Sequence, residues 1–220
     1  MPSVASNIAV FLGPSLPVDE AKEILSADYF PPVKRGNLAS TVLNKYQIVA
    51  IIDGEFGQSL SVSVIEIRQL LDRGLEVWGA SSMGALRAVE CGQLGMQGVG
   101  WVFKQYKDAL LDADDEVALF FNPITLKPLT VPKVNIRWMI VCALQEALID
   151  LRESNVLNEV LSKMHYQKLT MDSYIKAVVD EGEGRAATLL LDWCDANKDR
   201  TDIKRLDAIE LLQTLNEMEE

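Results

Sequence analysis

Three short apolar runs, each ending in a turn and followed by a helical pattern, constrain the fold of this chain most strongly. They span residues 8–12, 47–52 and 75–78. Strands without polar alternation are typical of a parallel sheet, because helices cover both of its faces and each face must be apolar. The sequence therefore predicts the α/β class: a parallel sheet core with helices on both faces in the N-terminal part, followed by a mostly helical C-terminal part.

The order of the remaining patterns predicts two regions. An α/β core that carries the turn after the third apolar run is expected over residues 1–125, with a further strand at 117–121. A helical region that packs on this core or on a partner protein is expected over residues 126–220. Helices are predicted at 17–26, 37–46, 62–73, 83–90, 98–110, 134–152, 155–169, 172–180, 185–196 and 202–218.

Charge and cysteine content exclude several function classes. The formal net charge of the 220 residues is −11, which argues against a nucleic-acid surface because such surfaces need many cations. The three cysteines show no Cys-x-x-Cys spacing, so neither a disulfide framework nor a zinc site is indicated. The sequence contains no glycine-rich phosphate motif. We therefore expect no nucleic acid, no metal and no cofactor.

Hydropathy and cysteine usage predict a cytoplasmic protein without a membrane segment. The longest fully apolar run, residues 138–144, is far too short to cross a bilayer. The first residues lack the basic start and the long apolar stretch of a signal peptide. Unpaired cysteines are typical of a reducing compartment.

A turn of small residues joins the third apolar run to the next helical pattern. Residues 80–84 match the nucleophile-elbow pattern G-x-S-x-G with alanine at the first glycine. Such a turn would hold the hydroxyl of Ser82 above the helix N-terminus, where the N–H groups of Met83 and Gly84 would stabilise an oxyanion. The alternative is that Ser81 or Ser82 only caps the helix.

Further polar residues are expected near this turn, because the carboxyl ends of parallel strands meet at one edge of the sheet and ligands bind there. Asp53 and Glu55 follow the second run, and Lys34 and Arg35 precede a predicted helix that would begin at the same edge. A serine nucleophile needs a base, and a lysine beside another cation is a candidate. The alternatives are a solvated Lys-Arg pair and an ordinary Asp-Gly turn.

Other titratable residues are less suited to catalysis. The single histidine, His165, lies on an apparent helix face, which favours a surface or packing role over a role as base. Arg87 is predicted either to pair with Glu90 one turn away or to face a substrate carboxylate. The acidic residues 114–116 are expected to form a solvated turn, because no histidine and no spaced ligand pattern accompany them.

These segments together resemble the TfuA-like family. One position departs from the family pattern, which usually has aspartate where this chain has Asn37, so a carboxylate there is not essential to this chain. The resemblance covers about the first 120 residues and rests on 8–14 (Ile-Ala-Val-Phe-Leu-Gly-Pro), 31–37, 52–54, 79–88 (Gly-Ala-Ser-Ser-Met-Gly-Ala-Leu-Arg-Ala), 98–101 and 114–118.

The resemblance implies a companion of YcaO enzymes in peptide-backbone thioamidation. TfuA-like proteins are expected to release sulfide from the thiocarboxylated C-terminus of a ThiS-type ubiquitin-fold sulfur carrier and to help recruit the peptide or protein substrate. The family is associated with a Ser-Lys hydrolase pair. By position the serine is Ser82, with Ser81 in reserve. The choice of Lys34 as the lysine rests on the sheet-edge argument.

Two other functions remain open at this stage. In one, the chain only docks YcaO to its substrate, and the serines are helix caps. In the other it is a general serine esterase of the α/β type, although no acid and histidine follow the serine in the expected order. The enzyme hypothesis assigns Ser82 and Lys34 to catalysis, Met83 and Gly84 to the oxyanion, and places Arg35, Asp53, Glu55 and Arg87 around the site.

Overall fold

A computed structural model describes residues 7–57, 60–122, 124–125 and 127–219. These residues form two compact units. The first contains the described chain up to Asp112 together with the chain from Lys204 onward, and the second is Ala113–Ile203. The second unit begins at Ala113, whereas the sequence predicted a boundary at 125. The chain from Lys204 onward, which was predicted to belong to the helical region, belongs to the first unit.

The first unit is built on a five-stranded parallel sheet. Its strands are β1 (Ile8–Phe11), β2 (Asp28–Phe30), β3 (Ile48–Ile51), β4 (Glu76–Gly79) and β5 (Gln97–Gly98). Their order is β2-β1-β3-β4-β5, and all four pairings are parallel. The chain therefore reverses its direction of travel across the sheet between β1 and β3. In open sheets of this kind, ligands bind outside the carboxyl ends of the strands at that switch point.

Helices connect the strands of the first unit and make up most of the second. They are α1 (Val18–Ile24), α2 (Val64–Asp72), α3 (Met83–Cys91), α4 (Trp101–Lys107), α5 (Lys133–Gln145), α6 (Leu151–Ser162), α7 (Met171–Asp180), α8 (Gly184–Ala196) and α9 (Ile203–Glu219). The prediction of an α/β chain with a parallel sheet and a mostly helical C-terminal part is confirmed.

Both faces of the sheet are buried, which explains the uninterrupted apolar runs. Successive strand side chains point to opposite faces, so Ala9 and Phe11 belong to one buried cluster and Ile8 and Val10 to another. Helices α2 and α3 complete the first cluster. Helices α1 and α9 complete the second, to which α9 contributes Leu211 and its apolar neighbours.

A buried carboxylate on α9 fixes the start of α4. Asp207 is 1% exposed, and its two oxygens accept hydrogen bonds of 2.8 Å each from the backbone N–H groups of Trp101 and Val102. The preceding residue, Gly100, has a φ of 96°, and a Cβ atom there would lie 2.4 Å from Cγ of Asp207. Only glycine therefore suits this position.

The second unit packs α5 to α8 around its own apolar cluster. Buried ion pairs join the acidic turn before these helices to α5. The Arg137 guanidinium donates to both carboxylate oxygens of Glu116 at 2.7 Å, and Lys133 pairs with Asp115 at 2.8 Å. Because Glu116 is only 5% exposed, the expectation of a solvated turn is wrong at this residue.

Two predicted elements of the first 125 residues are wrong. In the predicted helix 37–46, only Thr41–Lys45 is helical, as a short 3₁₀ turn. The side chain of Asn37 accepts the N–H of Lys34 instead of starting a helix. The predicted strand 117–121 is absent from the described chain there, where only Phe121 forms an isolated bridge.

The predicted helix 134–152 is two helices. Helix α5 ends at Gln145, and Ala147 then adopts a φ of 57°. Asp150 starts α6 through a capping box with Glu153, in which each side chain accepts the other's backbone N–H. The Asp-x-x-Glu spacing is the sequence signature of such a start, and it marks the break that apolar periodicity misses.

None of the helices in the described part of the chain is long and apolar enough to span a membrane.

We predict that Asp207 makes the stability of the protein depend on pH. Burial raises the pKa of this carboxyl to about 7, so the folded protein holds its proton at pH values where the unfolded chain has lost it. The stability contributed by the protonated form is full below about pH 4 and is lost as pH rises towards 7. The free-energy difference between the parent and Asp207→Asn should therefore shift against the parent across this window, by up to about 1.4 kcal/mol per pH unit.

Urea unfolding of both proteins between pH 4 and pH 8 measures this difference. The asparagine variant also loses one acceptor oxygen. The effect of that loss on the unfolding free energy does not depend on pH, so it does not change how the difference between the two proteins varies with pH. A difference that stays constant across the range would contradict the assignment.

Candidate functional site

The serine turn joins β4 to α3 at the carboxyl edge of the sheet. Ser81 adopts a φ of 67°, an unfavourable value for a residue that is not glycine. Ser82 follows with φ −119° and ψ −121°, and α3 begins at the next residue. This sharp reversal between a strand and a helix is the geometry that the elbow pattern predicts.

Two glycines allow the turn to lie tightly against the sheet. A Cβ atom on Gly84 would lie 1.7 Å from the backbone oxygen of Ile51, and one on Gly79 would lie 2.1 Å from the oxygen of Gly84. The N–H of Gly84 donates to the carbonyl oxygen of Ile52 at 3.3 Å. Gly84 is thus engaged in packing α3 onto β3 and, in this structure, does not offer its N–H to an oxyanion.

The N–H of Met83 remains as the candidate oxyanion donor. Met83 is the first residue of α3, where an N–H has no acceptor within the helix, and no hydrogen bond from it is found within the described chain. Of the two donors expected from the sequence, Met83 is therefore the one whose N–H has no acceptor within the described chain.

A buried chain of hydrogen bonds links the serine turn to the ends of β1 and β3. The hydroxyl of Ser81 donates to Oγ of Ser15 at 3.0 Å, and the hydroxyl of Ser15 donates to Oδ1 of Asp53 at 2.7 Å. The other carboxylate oxygen of Asp53 accepts the backbone N–H groups of Gly13 and Ser15. Ser81 is 0% and Asp53 2% exposed, so this chain is an internal brace.

Ser82 is placed differently from Ser81. It occupies the N-cap position of α3, yet its side chain makes no capping bond. Its hydroxyl has no hydrogen-bond partner within the described chain. Among the described residues, every fully buried polar side-chain atom has a hydrogen-bond partner. A hydroxyl without a partner is therefore not fully buried. The unpaired hydroxyl of Ser82 therefore keeps a small accessible area, although the residue as a whole is only 2% exposed, and the capping alternative does not account for either serine.

The loop that carries Lys34 is tied to the same edge by its backbone. Val33 donates its N–H to the oxygen of Asp53, and Glu55 donates its N–H to the oxygen of Val33, both at 2.9 Å. Gly36 donates to a carboxylate oxygen of Glu66. The Lys34 side chain is exposed and forms no hydrogen bond to either serine. The structure brings the loop to the site without forming a Ser-Lys pair.

The other expected site residues have structural partners or surround a neighbouring pocket. Arg87 donates to the oxygen of Val62 at 2.8 Å and pairs with Glu90 at 2.5 Å, so the first of its two predicted roles is observed. Arg35 is exposed and donates through Nε to the oxygen of Ser61 at 3.5 Å. Glu55 is half-buried and lines a pocket together with Lys34.

Other potential catalytic or ligand-binding groups are not assembled here. His165 belongs to the second unit, where its Nδ1 accepts the N–H of Gln167. Burial raises the pKa of the Cys91 thiol at the end of α3 to about 11, so this cysteine stays protonated near neutral pH. Among the residues that the structure describes, no three histidine, cysteine or acidic side chains gather as a metal site.

Ser15 is the site residue that the sequence analysis missed. It stands directly after the first apolar run and the Gly-Pro turn. The edge argument that selected Asp53 and Ser82 applies equally to this position, and a hydroxyl three residues beyond the end of the apolar run was the available signal. The length of the loop after β1 lets Ser15 reach between Asp53 and Ser81.

We predict that Gly84→Ala destabilises the protein by about 2 kcal/mol or more, because its Cβ would collide with the backbone of β3. Gly92→Ala is the matched control: Gly92 has helical φ and ψ values and no atom within 4 Å of an added Cβ. The control should change stability by less than about 1 kcal/mol. Thermal unfolding of the two variants makes the comparison, and equal stabilities would refute the close packing.

The family described as TfuA-like protein matches residues 53–170, which is more than half of the chain. The match begins at Asp53 and includes both serines of the turn, whereas Ser15 and Lys34 precede it. A search of curated proteins finds no match. The extent of the family match shows that the chain belongs to the TfuA-like family.

Proposed function

We propose that this chain is an accessory hydrolase of YcaO-dependent peptide thioamidation. It releases sulfide from the thiocarboxylated C-terminus of a ThiS-type carrier protein and helps to recruit the peptide substrate. The observation that carries the proposal is the unpaired hydroxyl of Ser82, which stands at a tight strand-to-helix turn beside the free N–H of Met83. Nucleophile and oxyanion donor are thus adjacent and fixed by the same helix start.

The proposed reaction has two steps. The oxygen of Ser82 attacks the thiocarboxylate carbon, and the amine of Lys34 takes the hydroxyl proton. The Met83 N–H stabilises the oxyanion. The C–S bond then breaks, the proton passes from the amine to sulfur, and hydrosulfide leaves. In the second step water attacks the acyl-serine as the Lys34 amine takes one of its protons and passes it to the Ser82 oxygen; the carrier leaves as its carboxylate, and the other water proton goes to solvent. Hydrosulfide is a better leaving group than an amine, so a simple Ser-Lys pair suffices.

Ser81, Ser15 and Asp53 act in this proposal as positioning residues. Their hydrogen-bond chain holds Ser81 at its unfavourable φ and thereby fixes the direction of the next residue, Ser82. Strained backbone persists only where surrounding structure holds it in place. We expect this chain to affect the geometry of the nucleophile without contacting the substrate.

Lys34 is proposed as the base because its backbone is fixed at this edge while its amine is unpaired. No hydrogen bond or ion pair of its side chain is found within the described chain. Catalytic contacts are often long or absent in a free enzyme and form only with substrate bound. A neutral Lys34 amine can donate a hydrogen bond to the thiocarboxylate and still accept the Ser82 proton, and this supplies a reason for it to turn towards Ser82.

A docking protein without catalytic activity is the second candidate. One observation favours it: within the described residues, no basic side chain contacts Ser81 or Ser82. In that case the serine turn would be a structural feature, and the chain would only bring YcaO and its substrate together. Sulfide release by this protein alone, without YcaO, separates the two candidates.

We predict that Ser82→Ala lowers the rate of sulfide release from thiocarboxylated carrier about a thousandfold or more, because it removes the nucleophile. Ser162→Ala is the control, since that hydroxyl bonds only within α6 and its loss should leave the rate unchanged. The assay contains the carrier and this protein only. A parent rate in Ser82→Ala would refute the nucleophile, and no release by the parent protein would leave the docking function.

We predict that Lys34→Gln lowers the rate constant of the chemical step by about a hundredfold or more. Lys22→Gln, at an exposed lysine of α1, serves as the control. Lys34→Arg then distinguishes the role: an arginine keeps the positive charge but cannot accept a proton, so it should not restore the rate. Restoration by arginine would show that Lys34 binds the substrate anion and is not the base.

A further inference from the structure

A small apolar pocket lies directly beside the proposed base. It encloses about 280 Å³ between the end of β2, the Lys34 loop and the 3₁₀ turn Thr41–Lys45. Six of its ten lining residues are apolar, and the polar ones are Lys34, Asn37, Ser40 and Glu55. The walls are formed by Phe11, Phe30, Pro31, Pro32, Val42 and Leu43.

The walls of this pocket are already packed in place. The rings of Phe11 and Phe30 stack with centroids 5.4 Å apart, and Tyr46 packs edge-on against Phe30. Pro32 lies so close to Gly13 that a Cβ atom there would be 2.4 Å from the proline ring. An occupant therefore meets a preformed surface and need not order it, which favours binding.

The size of the pocket limits what it can take. Sites for drug-sized ligands and cofactors occupy about 300–1,000 Å³, so this pocket is small for a whole cofactor and suits one large side chain. Stacked aromatic walls favour an aromatic or branched aliphatic group, which buries a large apolar area and packs against ring faces. The chemistry of the occupant is thus an apolar side chain of a larger molecule.

The polar residues at the pocket indicate a polypeptide as that larger molecule. Lys34 supplies a hydrogen-bond donor and Glu55 an anion, and neither side chain has a partner within the described chain. The carboxylate matches a peptide N–H, and the lysine nitrogen, which donates hydrogen bonds with or without its extra proton, matches a carbonyl or a terminal carboxylate. Because Lys34 belongs both to the pocket and to the proposed site, an occupant with a terminal anion at Lys34 would place that end near Ser82.

We propose that this pocket is a specificity subsite that takes one large apolar side chain from the C-terminal tail of the carrier protein. The inference rests on the proposed function for the identity of the carrier, and it adds the feature by which its tail is selected. The side chain anchors the tail, and the terminal thiocarboxylate then lies against Lys34.

The test measures binding of product-like peptides, so that it does not depend on catalysis. The probes are fluorescein-labelled eight-residue peptides of glycine and serine that end in a free carboxylate. Each carries one phenylalanine two, three or four residues before the C-terminus, or none. Fluorescence anisotropy with the full chain should show that one phenylalanine peptide binds about tenfold or more tightly than the peptide without phenylalanine.

Two exposed apolar residues provide matched variants. Val42 lines the pocket and is 56% exposed, whereas Ile65 on α2 is 68% exposed and lies outside the lining set. Because both side chains are exposed, an aspartate at either position should leave the fold intact, and circular dichroism checks this. Val42→Asp should abolish the preference for phenylalanine, and Ile65→Asp should retain it. Equal affinities for all peptides, or equal effects of the two variants, would overturn the subsite.

A C-terminal amide on the best peptide identifies which part of a polypeptide binds. Loss of affinity with the amide supports a tail with a terminal anion, and unchanged affinity overturns that assignment in favour of an internal peptide segment. Binding with the expected preferences by a protein that releases no sulfide would overturn the proposed hydrolase and leave the subsite intact. Sulfide release that is unaffected by Val42→Asp would overturn the subsite alone.

Discussion

The carboxylate of Asp53 is the constraint on which the carboxyl edge of the sheet depends. Its oxygens accept three hydrogen bonds from the loop after β1, and its own backbone oxygen accepts the N–H of Val33. One buried residue thus fixes the loop that carries Ser15 and the loop that carries Lys34. A carboxylate in a site 2% exposed is tolerated only because donors replace its lost water.

The brace from Asp53 ends at Ser81, and this explains why two adjacent serines have different surroundings. Ser81 is buried, and its hydroxyl donates a hydrogen bond to Oγ of Ser15. The backbone reverses at Ser81, and Ser82, although only 2% exposed, is left with an unpaired hydroxyl at the start of α3. The two adjacent serines are therefore not equivalent: the first donates to a buried hydroxyl, and the second keeps a hydroxyl without a partner in the described chain.

The sequence predicted the layout of the first unit because that layout depends on simple periodicity. Apolar runs located β1, β3 and β4, and the rule that parallel strands share a carboxyl edge brought Asp53 and the serine turn together. Neither observation depends on details of side-chain packing. The same edge rule could have identified Ser15, whose hydroxyl bridges Asp53 and Ser81.

Features set by side-chain pairing were not predictable from periodicity. The helix expected at 37–46 failed because the Asn37 oxygen closes a turn on the N–H of Lys34. The role of Gly84 depends on a close approach to β3, and such an approach involves residues more than thirty positions apart. The pocket at Lys34 likewise arises from segments that only the folded chain brings together.

In the proposed site the nucleophile is held in place, whereas the side chain of the proposed base, Lys34, has no fixed partner. This difference affects which substrates can react. Ser82 and the Met83 N–H are fixed by the start of α3, whereas the Lys34 side chain is fixed only by its backbone. In the proposed reaction the substrate therefore completes the Ser-Lys pair when it binds. An enzyme assembled by its substrate uses binding energy to select that substrate before the chemical step. A thiocarboxylated protein whose tail lacks the matching side chain would not bring the amine to Ser82. Sulfide would therefore be released from the matching carrier and not from other thiocarboxylated proteins.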